Sequence, residues 1–276
     1  MKILITGRNG QMAQCLAHVN RAHALSFLAR PEIDLRRPES LRDPVLRLRP
    51  DVILSCAALT SVDACEADAA SAFAINAEAP GVLAEAAAAL DIPLIHLSTD
   101  YVFGGRQDTP YRETDIPDPI NVYGRSKVAG EIAVARARRH CVVRTTWVYS
   151  SFGGFLKAAK AQAAGAGEAR VVSDQVACPT SGIDLARGLL TMAEGMGADD
   201  ARRYGVFHGA GAAVARRSDV IRAALPDARI VEVRSADFFN GAPRPLYSAL
   251  DSSKLTEVYG IRLRGWPEVL AEGAQS

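Results

Sequence analysis

No charge of one sign dominates this chain: 32 lysines and arginines stand against 31 aspartates and glutamates. No basic block and no acidic tail occurs, so nucleic acid and membrane surfaces are poor partners. Cysteine is scarce. The five cysteines fall at 15, 56, 65, 141 and 178, an odd count with no pair at the spacing of a zinc site. The expectation is reduced, mostly buried thiols in a cytoplasmic protein. Long apolar runs are also missing. The longest tract, around "GVLAEAAAAL", is interrupted by a glutamate and is too short to span a bilayer. The opening "MKILITG" lacks the apolar stretch of a signal peptide.

What is present suffices for a large core. Of 276 residues, 49% are hydrophobic, enough for one large domain or two coupled ones. "KILIT" reads as a buried strand stopped by Gly7, and helical spacing follows from Gln11 to about Asn20. "HALSFLAR", "DVILSCAA", "PLIHLSTD" and "HCVVRTTWVYS" read as further strands. Between them "PESLRDPVLRLRP" has helical spacing despite an internal proline. "AASAFAINAEAPGVLAEAAAALD" is helical, and another helix follows Tyr123. Alternating strands and helices predict an α/β protein with a doubly wound parallel sheet of the Rossmann type. The expected division is a dinucleotide-binding domain over residues 1–146 and a smaller, interwoven substrate-binding part over 147–276. A strand near 204–209 is expected to return to the first sheet.

The first turn, "TGRNGQMA", places Gly7 and Gly10 between strand and helix. Glycine lets the backbone approach a phosphate, and the helix start offers free amide donors. Gln11 and Met12 complete the candidate pyrophosphate turn, and Ala13 is small enough for close packing. Alone, such a turn is ordinary punctuation; at the start of a doubly wound pattern it points to a dinucleotide. At the end of the second strand an acid would accept ribose hydroxyls, but the chain has Ala29 and Arg30. Arg30 can pair with a 2′-phosphate, which favours NADPH; a solvated surface arginine is the plain alternative. "IDL" follows closely, with Asp34 placed to flank the adenine and Leu35 beside it.

Tyr123 and Lys127 stand four residues apart in "INVYGRSKVAGE". A phenol of pKa about 10 is a sluggish acid at neutral pH. A cation one helical turn away is expected to lower it. The pair can protonate a carbonyl oxygen while hydride arrives at its carbon. "LSTD" ends the fourth strand at the carboxyl edge of the sheet. There Thr99 or Ser98 can hydrogen-bond the same carbonyl.

These residues carry a resemblance that runs almost end to end. The chain resembles the extended short-chain dehydrogenase/reductases and, within them, the dTDP-4-dehydrorhamnose reductase family. The match includes "GRNGQM", "IDLRRPESL", "RPDVILSCAALTSVDACE", "AFAINAEAPGVLAEAA", "LSTDYVFGG", "PYRETDIPDPINVYGRSKVAGE" and "RTTWVYS". "VVSDQVACPTSGIDLA" and "RPLYSALDSSKLTEVYGI" narrow it to the deoxysugar reductases. The resemblance implies NADPH, with NADH also accepted, reducing the C4 ketone of a dTDP-linked 4-keto-6-deoxy sugar. It implies Tyr123 as proton donor, Lys127 on the nicotinamide ribose, and Thr99 on the ketone with Asp100 beside the sugar. Ala57, Ala58 and Leu59 resemble the loop over the cofactor, and Trp147 an aromatic next to the substrate. Gln175, Pro179 and Thr180 resemble a substrate-domain motif. Arg244 resembles a late arginine that can meet a diphosphate or form a salt bridge. Three departures stand out. Ala13 replaces a glycine, Leu59 sits where tyrosine is common, and Cys15 stands where some relatives place a magnesium-binding glutamate. No metal is therefore expected. His96 and His208 read as satisfied core residues. Assembly stays open, a homodimer included. Two alternatives also remain: another nucleotide-sugar 4-ketoreductase, and a regulatory subunit of the same fold, as in methionine adenosyltransferase.

Overall fold

The computed structural model describes residues 1–197, 200–239 and 241–273. Five strands come first: β1 (Lys2–Thr6), β2 (Ala24–Leu28), β3 (Val52–Ser55), β4 (Leu94–Thr99) and β5 (His140–Thr145). Four more follow: β6 (Val148–Tyr149), β7 (Glu168–Val172), β8 (Val176–Ala177) and β9 (Thr180–Ser181). Then come β10 (Gly205–His208), β11 (Ala215–Arg216) and β12 (Arg229–Val233). Six of these form one sheet in the order β2-β1-β3-β4-β5-β10, and every pairing in it is parallel.

Strand periodicity divides the core into two layers. Ile3, Ile5, Leu54, Ile95 and Val143 face one cluster; Leu4, Ile53, Leu94 and Val142 face the other. Successive side chains leave opposite faces of a strand, so a sheet covered on both sides needs apolar residues at every position. Helix Gln11–Val19 and helix Gly182–Gly195 pack together on the first face. Helices Ala79–Leu90 and Val122–Val134 cover the second. A helix and a strand from the later half thus complete the first sheet. The remaining strands form pairs outside it: β6 with β9, β7 with β12, and β8 with β11.

Two local readings change on contact with the structure. The fifth strand was expected to run through Ser150. It stops at Thr145, and Trp147 adopts a positive φ of 42°. That left-handed residue turns the chain out of the sheet, so Val148 and Tyr149 pair with Thr180 and Ser181 instead. The long helix over residues 69–91 is interrupted by a π-helical turn at Ala74–Glu78. Pro44 sits in the first turn of helix Arg42–Leu48, where its missing N–H breaks no helical bond.

The sheet order reverses between β1 and β3. In open α/β sheets that is where ligands settle, outside the carboxyl ends of the strands. The two strand ends come very close here: a Cβ on Gly7, whose φ is +87°, would lie 2.9 Å from the Ala57 Cβ. Only glycine permits that approach without strain.

Candidate active site

A cavity of about 1000 Å³ opens at this switch point. Its walls include Gly7, Gly10, Gln11, Met12, Arg30, Asp34 and Leu35 from the first two strand ends and their turns. Ala57, Ala58 and Leu59 come from the β3 end, and Thr99, Asp100, Tyr123, Lys127 and Trp147 from the far side. Helix Gln11–Val19 starts at Gly10 with no side-chain cap and no acid in its first turn, so its leading amides are free to meet an anion. The Gln11 side chain is otherwise engaged, donating to Val148 O, Ser150 Oγ and Gly153 O at 3.1–3.3 Å. Thr6 Oγ1 accepts from the backbone of Cys56 and Ala57, both at 3.0 Å, and so ties the β3 loop to β1. Asn76, in the π-helical turn, holds that loop from below. Its Oδ1 accepts from Leu59 N at 2.8 Å, and its Nδ2 donates to Leu59 O and to Ser126 Oγ, both at 3.0 Å.

The far wall is built by the start of helix Val122–Val134. Asn121 caps it, accepting from Gly124 N at 2.8 Å, and Glu66 accepts from Val122 N at 2.8 Å. Gly124 is required: a Cβ there would lie 2.1 Å from the Tyr101 carbonyl oxygen. This tight seat brings the Tyr123 phenol to the end of β4. The Thr99 hydroxyl lies within hydrogen-bonding reach of it, and the Tyr101 ring meets it edge-on at 5.8 Å. A single carbonyl oxygen placed between Thr99 and Tyr123 would face two hydroxyls.

Lys127 lies one helical turn on and is only 2% exposed. Its ammonium donates to Leu97 O at 2.7 Å and to His96 Nε2 at 3.0 Å. Burial pulls its pKa down to about 8, opposed by the charges of Glu131 and Cys56. His96 is fully buried and held well below its ordinary pKa, first by desolvation and then by the Lys127 charge. A neutral imidazole that accepts at Nε2 carries its hydrogen on Nδ1, which lies 3.0 Å from Ser55 Oγ and donates to it. The Tyr123 pKa is raised, chiefly by burial and against the Thr99 hydrogen bond. This reverses the expected lowering by Lys127: the cation points down to His96, and desolvation of the phenolate prevails.

The other candidate residues differ in how far they remain free. Ser98 donates to Glu131 Oε1 at 2.5 Å and Thr99 to Asp100 Oδ1 at 3.0 Å; Thr99 is the one beside the Tyr123 phenol. Asp100 lines the cavity, but its carboxylate is occupied by Thr99, Thr146 and Ser248. Asp34 is engaged by its own neighbour: the Arg36 hydrogen bonds lower its pKa. Arg30 is exposed at the cavity mouth. Arg244 lies outside the cavity wall. Its guanidinium clasps Asp63 through two contacts of 2.9 and 2.7 Å and lies 4.0 Å over the Phe239 ring. Cys15 is buried. No group of three or more His, Cys, Asp or Glu side chains able to hold a metal occurs among the described residues. None of their helices is long and apolar enough to cross a membrane.

A protein-family model described as the RmlD substrate binding domain matches residues 1–276. A dTDP-4-dehydrorhamnose reductase of Sinorhizobium fredii is 39% identical over 97% of this chain and 95% of its own length. The chain belongs to the dTDP-4-dehydrorhamnose reductase family. Solved family structures superpose over nearly the whole chain. The dTDP-4-dehydrorhamnose reductase of Clostridium acetobutylicum has a TM-score of 0.90 at 32% identity, covering 99% of this chain and 98% of that one. The enzyme of this name from Bacillus anthracis, solved in complex with NADP, has a TM-score of 0.90 at 28% identity, covering 98% and 97%. Within this family chain, two site residues escaped sequence reading. Asn76 carries a weak signal, as an amide inside an apolar helix. His96 carries none, because a histidine in a buried strand looks like any other core residue.

Proposed function

We propose that this protein reduces the C4 ketone of dTDP-4-dehydro-L-rhamnose to dTDP-L-rhamnose, using NADPH and accepting NADH. The observation that carries the reading is the convergence of Thr99 and Tyr123 on one point of a cavity whose opposite wall is a phosphate-ready turn. Family membership supports the substrate class, and the NADP complex of the Bacillus anthracis structure supports the cofactor. The residues fit such a cofactor. The Gly7–Ala57 approach leaves backbone amides open to a pyrophosphate, and Arg30 stands at the mouth for a 2′-phosphate.

When bound, NADPH supplies the hydride that C4 receives. Thr99 holds the ketone oxygen in line. Burial keeps the Tyr123 phenol protonated through the neutral range, so it donates its O–H proton to that oxygen as charge develops. Lys127 offers an ammonium from beneath, where a nicotinamide ribose hydroxyl would lie. Trp147 and Tyr101 close the side facing the later half of the chain. Five unpaired cysteines suit a reducing cytoplasm. The test is direct: incubate the protein with dTDP-4-dehydro-L-rhamnose and NADPH and identify the product by NMR. Formation of dTDP-L-rhamnose supports the reading; oxidation of no cofactor, or a different epimer at C4, overturns it.

A further inference from the structure

Arg217 and Gln175 face one another across a two-pair ladder of the later half. β8 and β11 run antiparallel, with Ala215 opposite Ala177 and Arg216 opposite Val176. Arg217 N donates to Gln175 O at 3.3 Å and extends the register by one pair. Opposed residues in such a ladder send their side chains to the same face, while Arg216 and Val176 point to the other. Arg216 is exposed and Arg217 is half-buried.

The Arg217 guanidinium lies 4.3 Å over the Trp147 ring and 5.6 Å over the Phe155 ring. Trp147 and the neighbouring Tyr101 both line the cavity. Desolvation lowers the Arg217 pKa, with Tyr101 and Asp100 favouring the charge and Arg244 opposing it. No ion pair forms at Arg217 among the described residues, and its Nε is buried with no hydrogen-bond partner. Gln175 is 1% exposed, and both its amide atoms are also buried without partners. Proteins pair nearly all such groups. On one face an amide without partners lies beside a guanidinium whose Nε is unpaired and whose side-chain hydrogen bond goes to Tyr101, and together they mark a place for a ligand with anionic oxygens. Arg244 differs: Asp63 already neutralises it.

We propose that Arg217 and Gln175 bind the diphosphate of the nucleotide-linked substrate. This rests on the nucleotide-sugar reading above and moves the diphosphate contact from Arg244 to Arg217. A guanidinium presents planar donors that match phosphate oxygens, and the aromatic ring beneath holds its plane. The Gln175 amide adds a donor for the same anion and an acceptor for an adjacent hydroxyl.

The test is calorimetric titration of dTDP into the NADP-saturated protein at two salt concentrations. Arg217→Gln is expected to weaken dTDP roughly tenfold or more, as loss of a charge-assisted contact implies. It should also flatten the salt dependence. Arg216→Gln, on the opposite face, should leave dTDP affinity as in wild type. NADPH affinity reports folding in each variant. Should Arg217→Gln fail to bind NADPH, Arg217→Lys decides, since it keeps the charge without the fork; intermediate dTDP affinity supports the site. A wild-type dTDP affinity in whichever Arg217 variant folds overturns this assignment and leaves the reductase reading intact. A wild-type protein that binds NADPH but no dTDP overturns both.

Discussion

His96 Nε2 lies 3.0 Å from Lys127 Nζ, and both side chains are buried, Lys127 at the cavity wall and His96 behind it. A neutral imidazole therefore accepts from the ammonium that the proposed mechanism places under the cofactor ribose. Burial disfavours the charged form of Lys127, Glu131 and Cys56 favour it, and the balance lies at about 8; the imidazole adds an acceptor for the ammonium.

That balance makes a pH prediction. Lys127 is charged below about 8 and neutral above it, so kcat/KM should fall as pH rises through this value. His96→Leu removes the acceptor, disfavours the ammonium and lowers the pKa. The basic limb should then move to lower pH by about one unit, the equivalent of one charge-assisted hydrogen bond. His96→Gln restores an acceptor and should return the limb towards its wild-type position. A limb that stays in place in His96→Leu would show that the imidazole does not set the charge of Lys127.

Tyr123→Phe keeps the ring between Tyr101 and the cavity and removes only the hydroxyl. Turnover should drop by roughly 10²- to 10⁴-fold, the usual contribution of a general acid. NADPH affinity, read by fluorescence titration, should stay within about threefold, a change of less than 1 kcal/mol. Near-normal turnover would remove the phenol from the chemistry.

Arg30 is exposed at the cavity mouth, and solvent screens its charge. A moderate preference for NADPH is expected, on the order of tenfold. Arg30→Ala should erase it by weakening NADPH and leaving NADH nearly unchanged. The measurement is the ratio of kcat/KM for the two cofactors at one salt concentration. A ratio that does not move in the variant sinks the assignment.

Glu131 and Arg144 form a buried pair, with Arg144 Nη2 2.7 Å from Glu131 Oε2 and Nε 3.0 Å from Oε1. The side chains are only 8% and 4% exposed. Glu131→Gln leaves a buried guanidinium without its counter-charge, which costs about 3–5 kcal/mol. Urea unfolding should show this as a lower midpoint. A loss below about 1 kcal/mol would mean that the pair behaves like a surface salt bridge.

Gly130 packs against the π-helical turn, and a Cβ there would lie 2.1 Å from the Asn76 carbonyl oxygen. Gly130→Ala must displace Asn76, which holds the backbone of Leu59 at the cavity wall. Stability should fall by about 1–3 kcal/mol, as for an overpacked core, and NADPH affinity should fall with it. Thermal unfolding with and without NADPH separates the two effects. Full retention of both would show that the turn adjusts freely.

Much of this site was legible because its signals are local. Gly7 and Gly10 punctuate one strand–helix junction, and Tyr123 and Lys127 lie one turn apart on one helix. Strand periodicity shows in the same way, since alternate residues of β1 face different layers whatever lies beyond them. These features depend on backbone geometry over a few residues, which the order of side chains alone determines. The partner of each polar group is another matter. The Lys127 ammonium meets His96 31 positions away, and Arg244 meets Asp63 181 positions away. Ser98 and Thr99 look interchangeable in the chain, yet one donates to Glu131 and the other lies beside the phenol. Arg217 and Arg244 look alike too, and only the fold pairs one with Asp63 and leaves the other with no ion pair among the described residues. Composition and spacing determined which chemical groups this protein has and which secondary structures carry them. Tertiary packing decided which of those groups remain free, because burial removes water and leaves each polar atom only the partners that the folded chain brings within about 3 Å.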